Sequence, residues 1–101
     1  MRSHYSGEVG FWWAYGALEW LARVGIEPYE VLQVLAYAKR WPRPGHSPAG
    51  TVLTVWGRTH TGRALLVVLR PEQGSLDSQI TLARELTGEE EVQLQDWEAT
   101  R

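Results

Sequence analysis

Residues 51–70 read TVLTVWGRTHTGRALLVVLR, and the fold is most directly predicted from them. The first part of this stretch is rich in Thr and Val, and its last part is apolar at almost every position, as in a strand that is covered on both faces. The link Thr59-His60-Thr61-Gly62 has the polar residues and the glycine of a tight turn. The stretch therefore predicts a β-hairpin whose second strand is central in its sheet.

A third strand is predicted after the hairpin. Residues 71–75 read PEQGS, a turn composition, and apolar and small residues then alternate with mostly polar ones from Leu76 to Leu82. Together with the hairpin, this strand makes a three-stranded antiparallel meander.

Two helices are predicted before the hairpin. One face of the first carries the apolar residues Trp13, Ala17, Trp20, Leu21 and Val24. Gly25 follows at the place where helices end in a left-handed residue. Pro28 then suits the first turn of a second helix, whose apolar stripe is Val31, Leu32, Leu35 and Ala38.

A short terminal helix is predicted from a capping box. Thr87 and Glu90 have the Ser/Thr-x-x-Glu spacing in which a hydroxyl and a carboxylate satisfy the free N–H groups of a helix start. The helix extends to about Trp97, with Leu94 and Trp97 as anchors. Glu90 is thus explained by capping, and a catalytic carboxylate is the alternative.

Residues 41–50, WPRPGHSPAG, contain three prolines and two glycines and predict a loop. Trp41 is flanked there by Lys39, Arg40 and Arg43. Six tryptophans are too many for complete burial in a 101-residue chain, and exposed ones suit a protein interface or base stacking. We therefore take Trp41 and Trp97 as candidate partner-binding residues.

Charge is distributed unevenly along the chain. Residues 1–70 hold eight Lys/Arg against four acids, and residues 71–101 hold two Arg against eight acids. Such asymmetry permits a phosphate-binding patch, and the alternative is that the basic and acidic segments pair with each other in the fold.

The composition excludes several classes of protein. The absence of cysteine excludes disulfides, thiolate catalysis and cysteine–zinc sites, and the three histidines lack the spacing of metal ligands. We expect no metal and no cofactor. The length suits one domain, residues 1–101, with a polar lead at residues 1–10. Without a membrane-spanning run or an apolar signal core, the cytoplasm is the expected location.

Three stretches resemble the BrnT toxins, small RelE-like proteins of type II toxin–antitoxin systems. The first has Trp12 and then GIEPYEV at residues 25–31. The second is GRTHTGRALLVV at residues 57–68, and the third is ITLAR at residues 80–84 followed by Thr87 and Glu90. The likeness covers nearly the whole chain. It implies an α+β fold in which two N-terminal helices pack on an antiparallel sheet of three or more strands, with a short C-terminal helix.

The resemblance also implies a function. A BrnT-like toxin is a metal-independent endoribonuclease that arrests translation and is neutralised by a DNA-binding antitoxin of the ribbon–helix–helix type. Expected partners are therefore RNA and such an antitoxin, in a homodimer or a toxin–antitoxin hetero-oligomer. In this chain GEEE at residues 88–91 replaces the family's arginine-rich terminal helix. The alternative is therefore an inactive relative that serves as a protein-interaction or nucleic-acid-binding module.

Candidate site residues follow from the same resemblance and from the charge pattern. Cations stabilise the charge that builds on phosphoryl oxygens during RNA cleavage, and histidine suits proton transfer near neutral pH. The candidate catalytic residues are Arg84, His60, Arg63 and Glu90. The candidate RNA-binding residues are Arg58, Lys39, Arg40 and Arg43. For Arg84 the alternative is an ion pair with Glu85 or Glu90, and for His60 it is a solvated turn residue.

Overall fold

One sheet with helices on both faces forms the described part of the chain, residues 10–48 and 50–100 of a computed structural model. The elements in order are β1 (Phe11–Trp13), α1 (Ala17–Val24), α2 (Pro28–Ala36), β2 (Trp41–Ser47), β3 (Gly50–Arg58), β4 (Ala64–Pro71), β5 (Ser78–Glu85) and α3 (Gly88–Ala99). The strand order is β1-β5-β4-β3-β2. The predicted α+β class is confirmed. Of the predicted polar lead, only Gly10 is among the described residues.

The predicted hairpin is confirmed as β3 and β4, which pair antiparallel from Arg58↔Ala64 to Leu53↔Leu69. Because β4 has β3 on one side and β5 on the other, it is the central strand, and its side chains are buried on both faces. Leu65 and Val67 point into the core beneath α1 and α2, and Leu66 points into a second cluster beneath α3. The run of apolar residues thus reflects burial on both sides.

The first helix begins later than predicted, and a strand precedes it. Trp13 lies in β1, which pairs parallel to β5, so the sheet is mixed and not wholly antiparallel. Gly16, with φ of 82°, separates β1 from α1. The prediction failed because Trp13 happens to lie four residues before Ala17, which continues the helical period, whereas aromatic residues equally favour a strand.

The predicted loop at residues 41–50 is wrong over most of its length. Residues 41–47 form β2, which pairs antiparallel with β3 from Trp41↔Trp56 to Ser47↔Gly50. Proline is excluded from central strands because it cannot donate a backbone hydrogen bond, but an edge strand tolerates it. β2 is an edge strand. Pro42 and Pro44 are two residues apart, so their nitrogens point to the same side of the strand, which is the side away from β3.

The α1–α2 hairpin covers one face of the sheet. As predicted, Gly25 ends α1 in the left-handed region, with φ of 75°, and Pro28 begins α2. The largest core cluster lies between these helices and the sheet and contains Leu21, Ile26, Val31, Val34, Leu35, Val55, Leu65, Val67, Leu69, Ile80 and Ala83.

The opposite face of the sheet is covered by α3. The predicted capping box is confirmed: the Thr87 side chain accepts from the N–H of Glu90, and the Glu90 carboxylate accepts from the N–H of Thr87. Leu94 is fully buried in a smaller cluster with Trp56, Ala64, Leu66 and Leu86. The two faces of the sheet therefore have separate cores of unequal size.

Candidate functional site

The sheet face beneath α3 carries an aromatic cluster. Trp41 on β2 and Trp56 on β3 are register partners whose ring centroids lie 5.5 Å apart, edge to face. Trp97 of α3 stacks on Trp41 with centroids 5.3 Å apart and an interplanar angle of 9°. The Arg43 guanidinium lies 4.4 Å from the Trp41 centroid and 4.7 Å from that of Trp56, within the range of a cation–π contact. Trp41 and Trp97, the candidate partner-binding residues, thus contact each other.

Three arginines on this face donate hydrogen bonds to side chains of α3. Arg43 Nη1 donates to Gln93 Oε1 at 3.2 Å. Arg58 donates from Nε and Nη2 to the two oxygens of Glu98, each at 3.0 Å, and its Nη1 lies 3.8 Å from Glu91. We use the name arginine face for the set Arg43, Arg58 and Arg84. Sequence reasoning named all three arginines as candidates, and the structure brings them to one face.

The shortest of these contacts joins Arg84 to Glu90. Arg84 Nη1 and Nη2 donate to the two carboxylate oxygens at 2.7 and 2.8 Å, the fork-to-fork geometry of a strong charge-assisted pair. Glu90 also accepts from the Thr87 N–H at 2.8 Å, so one carboxylate both caps α3 and holds it to β5. Of the two partners considered for the Arg84 side chain, Glu90 is the one whose carboxylate it binds.

The contact between Arg84 and Glu90 shifts the pKa of both side chains. Hydrogen bonds from Arg84 lower the pKa of Glu90 from 4.5 to about 2, and the Thr87 N–H acts in the same direction, while burial opposes them. The same hydrogen bonds raise the pKa of Arg84, and the hydrogen bonds that Arg58 donates to Glu98 raise the pKa of Arg58. A carboxylate with so low a pKa is a weak base. While the pair is closed, Glu90 is better suited to capping than to proton transfer.

Because of the Arg84–Glu90 pair, the stability of the fold should depend on pH in the acid range. Because the pKa of Glu90 is lower in the folded chain, its contribution is present above about pH 4.5 and is lost as the pH falls towards about 2. We expect Glu90→Gln to lower the free energy of unfolding by about 1–2 kcal/mol at neutral pH. Urea denaturation over this pH range measures the difference in the free energy of unfolding between variant and wild type. This difference should vanish as the pH approaches about 2.

A matched control for this measurement is Glu89→Gln. Glu89 is the exposed neighbour of Glu90 and has no ion pair within the described part of the chain. Its substitution removes the same charge from the same helical turn. A Glu90→Gln difference that stays constant over the whole pH range would show that the ion pair is not its source.

Arg63 lies apart from the arginine face, on the α1–α2 side of the sheet. Its Nη1 donates to Glu30 at 2.9 Å and to the Gly25 carbonyl at 3.0 Å, and its Nε donates to Glu85 at 3.0 Å. These contacts join the α1–α2 connection to the end of β5. Of the four candidate catalytic residues, the structure joins Arg84 to Glu90 and places Arg63 elsewhere.

The remaining candidates lie in turns. His60 is exposed in the β3–β4 turn, where its backbone N–H donates to Gln33 of α2. Lys39 and Arg40 are exposed between α2 and β2, and Arg40 donates to the Tyr37 carbonyl. No group of His, Asp and Glu within the described residues has the arrangement of a metal site.

Sequence reasoning missed the α3 side of the site. Gln93 and Glu98 bind Arg43 and Arg58, and Trp56 completes the aromatic cluster. The only available signal was the acidic character of residues 88–98, which indicated pairing with a basic segment without identifying the partners. Pairing between the basic and acidic segments is what the structure shows for Arg58 with Glu98 and for Arg63 with Glu85, whereas Arg84 pairs with Glu90 inside the acidic segment.

No family model matches the chain, and no curated protein is significantly similar to it in sequence. No helix in the described ranges is both long enough and apolar enough to cross a membrane.

Proposed function

We propose that this protein is a diverged BrnT-like toxin that binds RNA phosphodiesters on the arginine face. One observation carries the proposal: Arg43, Arg58 and Arg84 lie on the same sheet face as the stacked Trp41. Guanidinium groups bind phosphate in the same two-pronged way as carboxylate, and aromatic rings stack on unpaired bases. Cations and rings on one face are the combination that single-stranded RNA requires.

In this proposal Arg84 has the central role. RNA cleavage by the neighbouring 2′-hydroxyl builds negative charge on the phosphoryl oxygens, which a fixed guanidinium stabilises. Arg58 and Arg43 hold the adjacent phosphates, and exposed Lys39 and Arg40 extend the cationic path beside Trp41. His60 is the candidate for proton transfer, because its side chain is solvent-exposed. Arg63 has a weaker claim, since two carboxylates hold it on the α1–α2 side.

The proposal includes a cytoplasmic location and an antitoxin of the ribbon–helix–helix type as partner. A small reading frame for such a protein beside the gene would support it directly.

A second candidate is a binding module without catalysis. The observation in its favour is that carboxylates already neutralise Arg58, Arg63 and Arg84, and that the low pKa of Glu90 makes it a weak base. Such a module would bind RNA or a small basic protein without cutting RNA, so growth and cellular RNA would remain normal when the chain is expressed.

Expression in bacteria tests the catalytic proposal. We expect the wild-type chain to arrest growth and to fragment cellular RNA, and Arg84→Ala to reduce the cleavage rate by roughly 100-fold or more because a transition-state cation is lost. The matched control is Arg23→Ala, since Arg23 is exposed on α1 and makes no ion pair within the described residues. Colony counts and RNA gels at equal protein levels give the readout. Normal growth with intact RNA for the wild type would contradict the proposal.

A further inference from the structure

The α3 side chains occupy the positions that a bound anion would take. Glu98 and Glu90 each present two oxygens to one guanidinium, at 3.0 Å for Arg58 and at 2.7–2.8 Å for Arg84. A phosphate bound by either arginine would need the same donors. An RNA backbone and α3 therefore cannot hold these two arginines at the same time.

The charge of α3 opposes RNA in a second way. Its sequence GEEEVQLQDWEA contains five acids and no base. With the helix in place, this charge lies over the sheet and repels phosphates. With the helix detached, the same surface would present three arginines that have lost their partners on α3.

Few apolar contacts hold α3 to the sheet. Leu94 is its one fully buried side chain, Trp97 is half-buried and Val92 is 55% exposed. Trp97 stacks on Trp41, and the polar contacts of the helix with the sheet are those to the arginine face. Because ion pairs form part of this attachment, a competing polyanion weakens it by supplying equivalent contacts to the arginines as the helix leaves.

We propose that α3 is an autoinhibitory helix whose carboxylates compete with single-stranded RNA for Arg58 and Arg84. The inference rests on the proposed function, since it takes RNA as the ligand of the arginine face. Detachment of α3 frees the three arginines and uncovers Trp41 and Trp56, whose rings then stack on bases. The wild-type chain binds RNA only through the fraction of molecules in which α3 is detached, so its apparent affinity is reduced by that fraction.

The test compares two double variants of the full chain with equal charge. Glu90→Gln with Glu98→Gln removes the two carboxylates that hold the arginines. Glu89→Gln with Asp96→Asn removes two charges from exposed positions of the same helix that bind nothing within the described residues. The probe is a short fluorescein-labelled oligouridine, and anisotropy measures its binding over a range of salt concentrations. Circular dichroism confirms that both variants remain folded.

We expect the first variant to bind about tenfold more tightly than wild type or more, with a steeper salt dependence because more phosphates are contacted. The control variant should gain only a small amount of affinity for the oligouridine, because it loses two negative charges but no contact with the arginines. If the first variant proves unfolded, the single variants Glu98→Gln and Asp96→Asn are compared instead. Both leave the capping box intact.

Equal affinity gains in the two variants would overturn the autoinhibitory role of α3. The proposed function would then still stand if the wild type arrests growth and Arg84→Ala relieves that arrest. Absence of oligouridine binding by every variant would also overturn the autoinhibitory role, while growth and RNA integrity would decide the proposed function separately.

Discussion

Replacement of Leu65 by alanine should lower the free energy of unfolding by about 2–5 kcal/mol. Leu65 is fully buried in the central strand β4 and belongs to the large core between the sheet and the α1–α2 hairpin. Truncation removes apolar contacts and leaves a cavity that strands paired on both sides close only in part. The midpoint of urea denaturation measures the loss, with an unchanged denaturant slope if unfolding stays two-state.

The control for this prediction is Leu32→Ala on α2. Leu32 is 47% exposed, so the same atoms are removed without opening a cavity. We expect a change within about 0.5 kcal/mol. Similar losses for Leu65 and Leu32 would contradict the assignment of β4 as the centre of the core.

Leu94→Ala should have the second largest effect, with a loss of about 2–5 kcal/mol in the contact between α3 and the sheet. Leu94 is the fully buried anchor of the smaller core. Because that core is separate from the one beneath α1 and α2, the damage should be local. Hydrogen exchange should show faster exchange of the α3 amides while the β4 amides keep their protection.

Val92→Ala is the matched control within the same helix, because Val92 is 55% exposed. It should leave exchange in α3 nearly unchanged. Loss of protection in β4 and α3 to the same extent in Leu94→Ala would mean that the helix and the sheet unfold as one unit, and it would weaken the case for a detachable α3.

The two faces of the sheet differ in what holds them together. The α1–α2 face relies on apolar packing, with Arg63 as a polar link at one end. The α3 face has a small apolar core surrounded by the contacts of the arginine face. Ion pairs that are partly open to water add little stability and weaken with salt. The α3 face is therefore the more readily opened of the two.

The uneven distribution of charge along the chain corresponds to ion pairs between its two segments in the fold. The positive excess of residues 1–70 meets the negative excess of residues 71–101 where Arg58 pairs with Glu98 of α3 and where Arg63 pairs with Glu85 of β5. The low pKa of Glu90 keeps the Arg84 pair charged near neutral pH. Only a competing anion or a change in the helix would free these arginines near neutral pH.

Features that depend on neighbouring residues could be predicted from the amino-acid sequence alone. The hairpin of β3 and β4, the end of α1 at Gly25 and the capping box at Thr87 were all correctly predicted. Each depends on periodicity or on turn chemistry within a few residues. The residues that produce the feature are therefore the same ones that reveal it in the sequence. The capping role of Glu90 was predictable for the same reason.

Features that join distant residues became visible only in the folded structure. β1 is a strand because it pairs with β5 at one edge of the sheet. Residues 41–47 form a strand because they pair with β3 at the other edge. Arg58 and Glu98 are 40 residues apart, and Arg43 and Gln93 are 50 apart. No local pattern encodes such pairs, because they arise only when packing of Leu94 brings α3 onto the sheet.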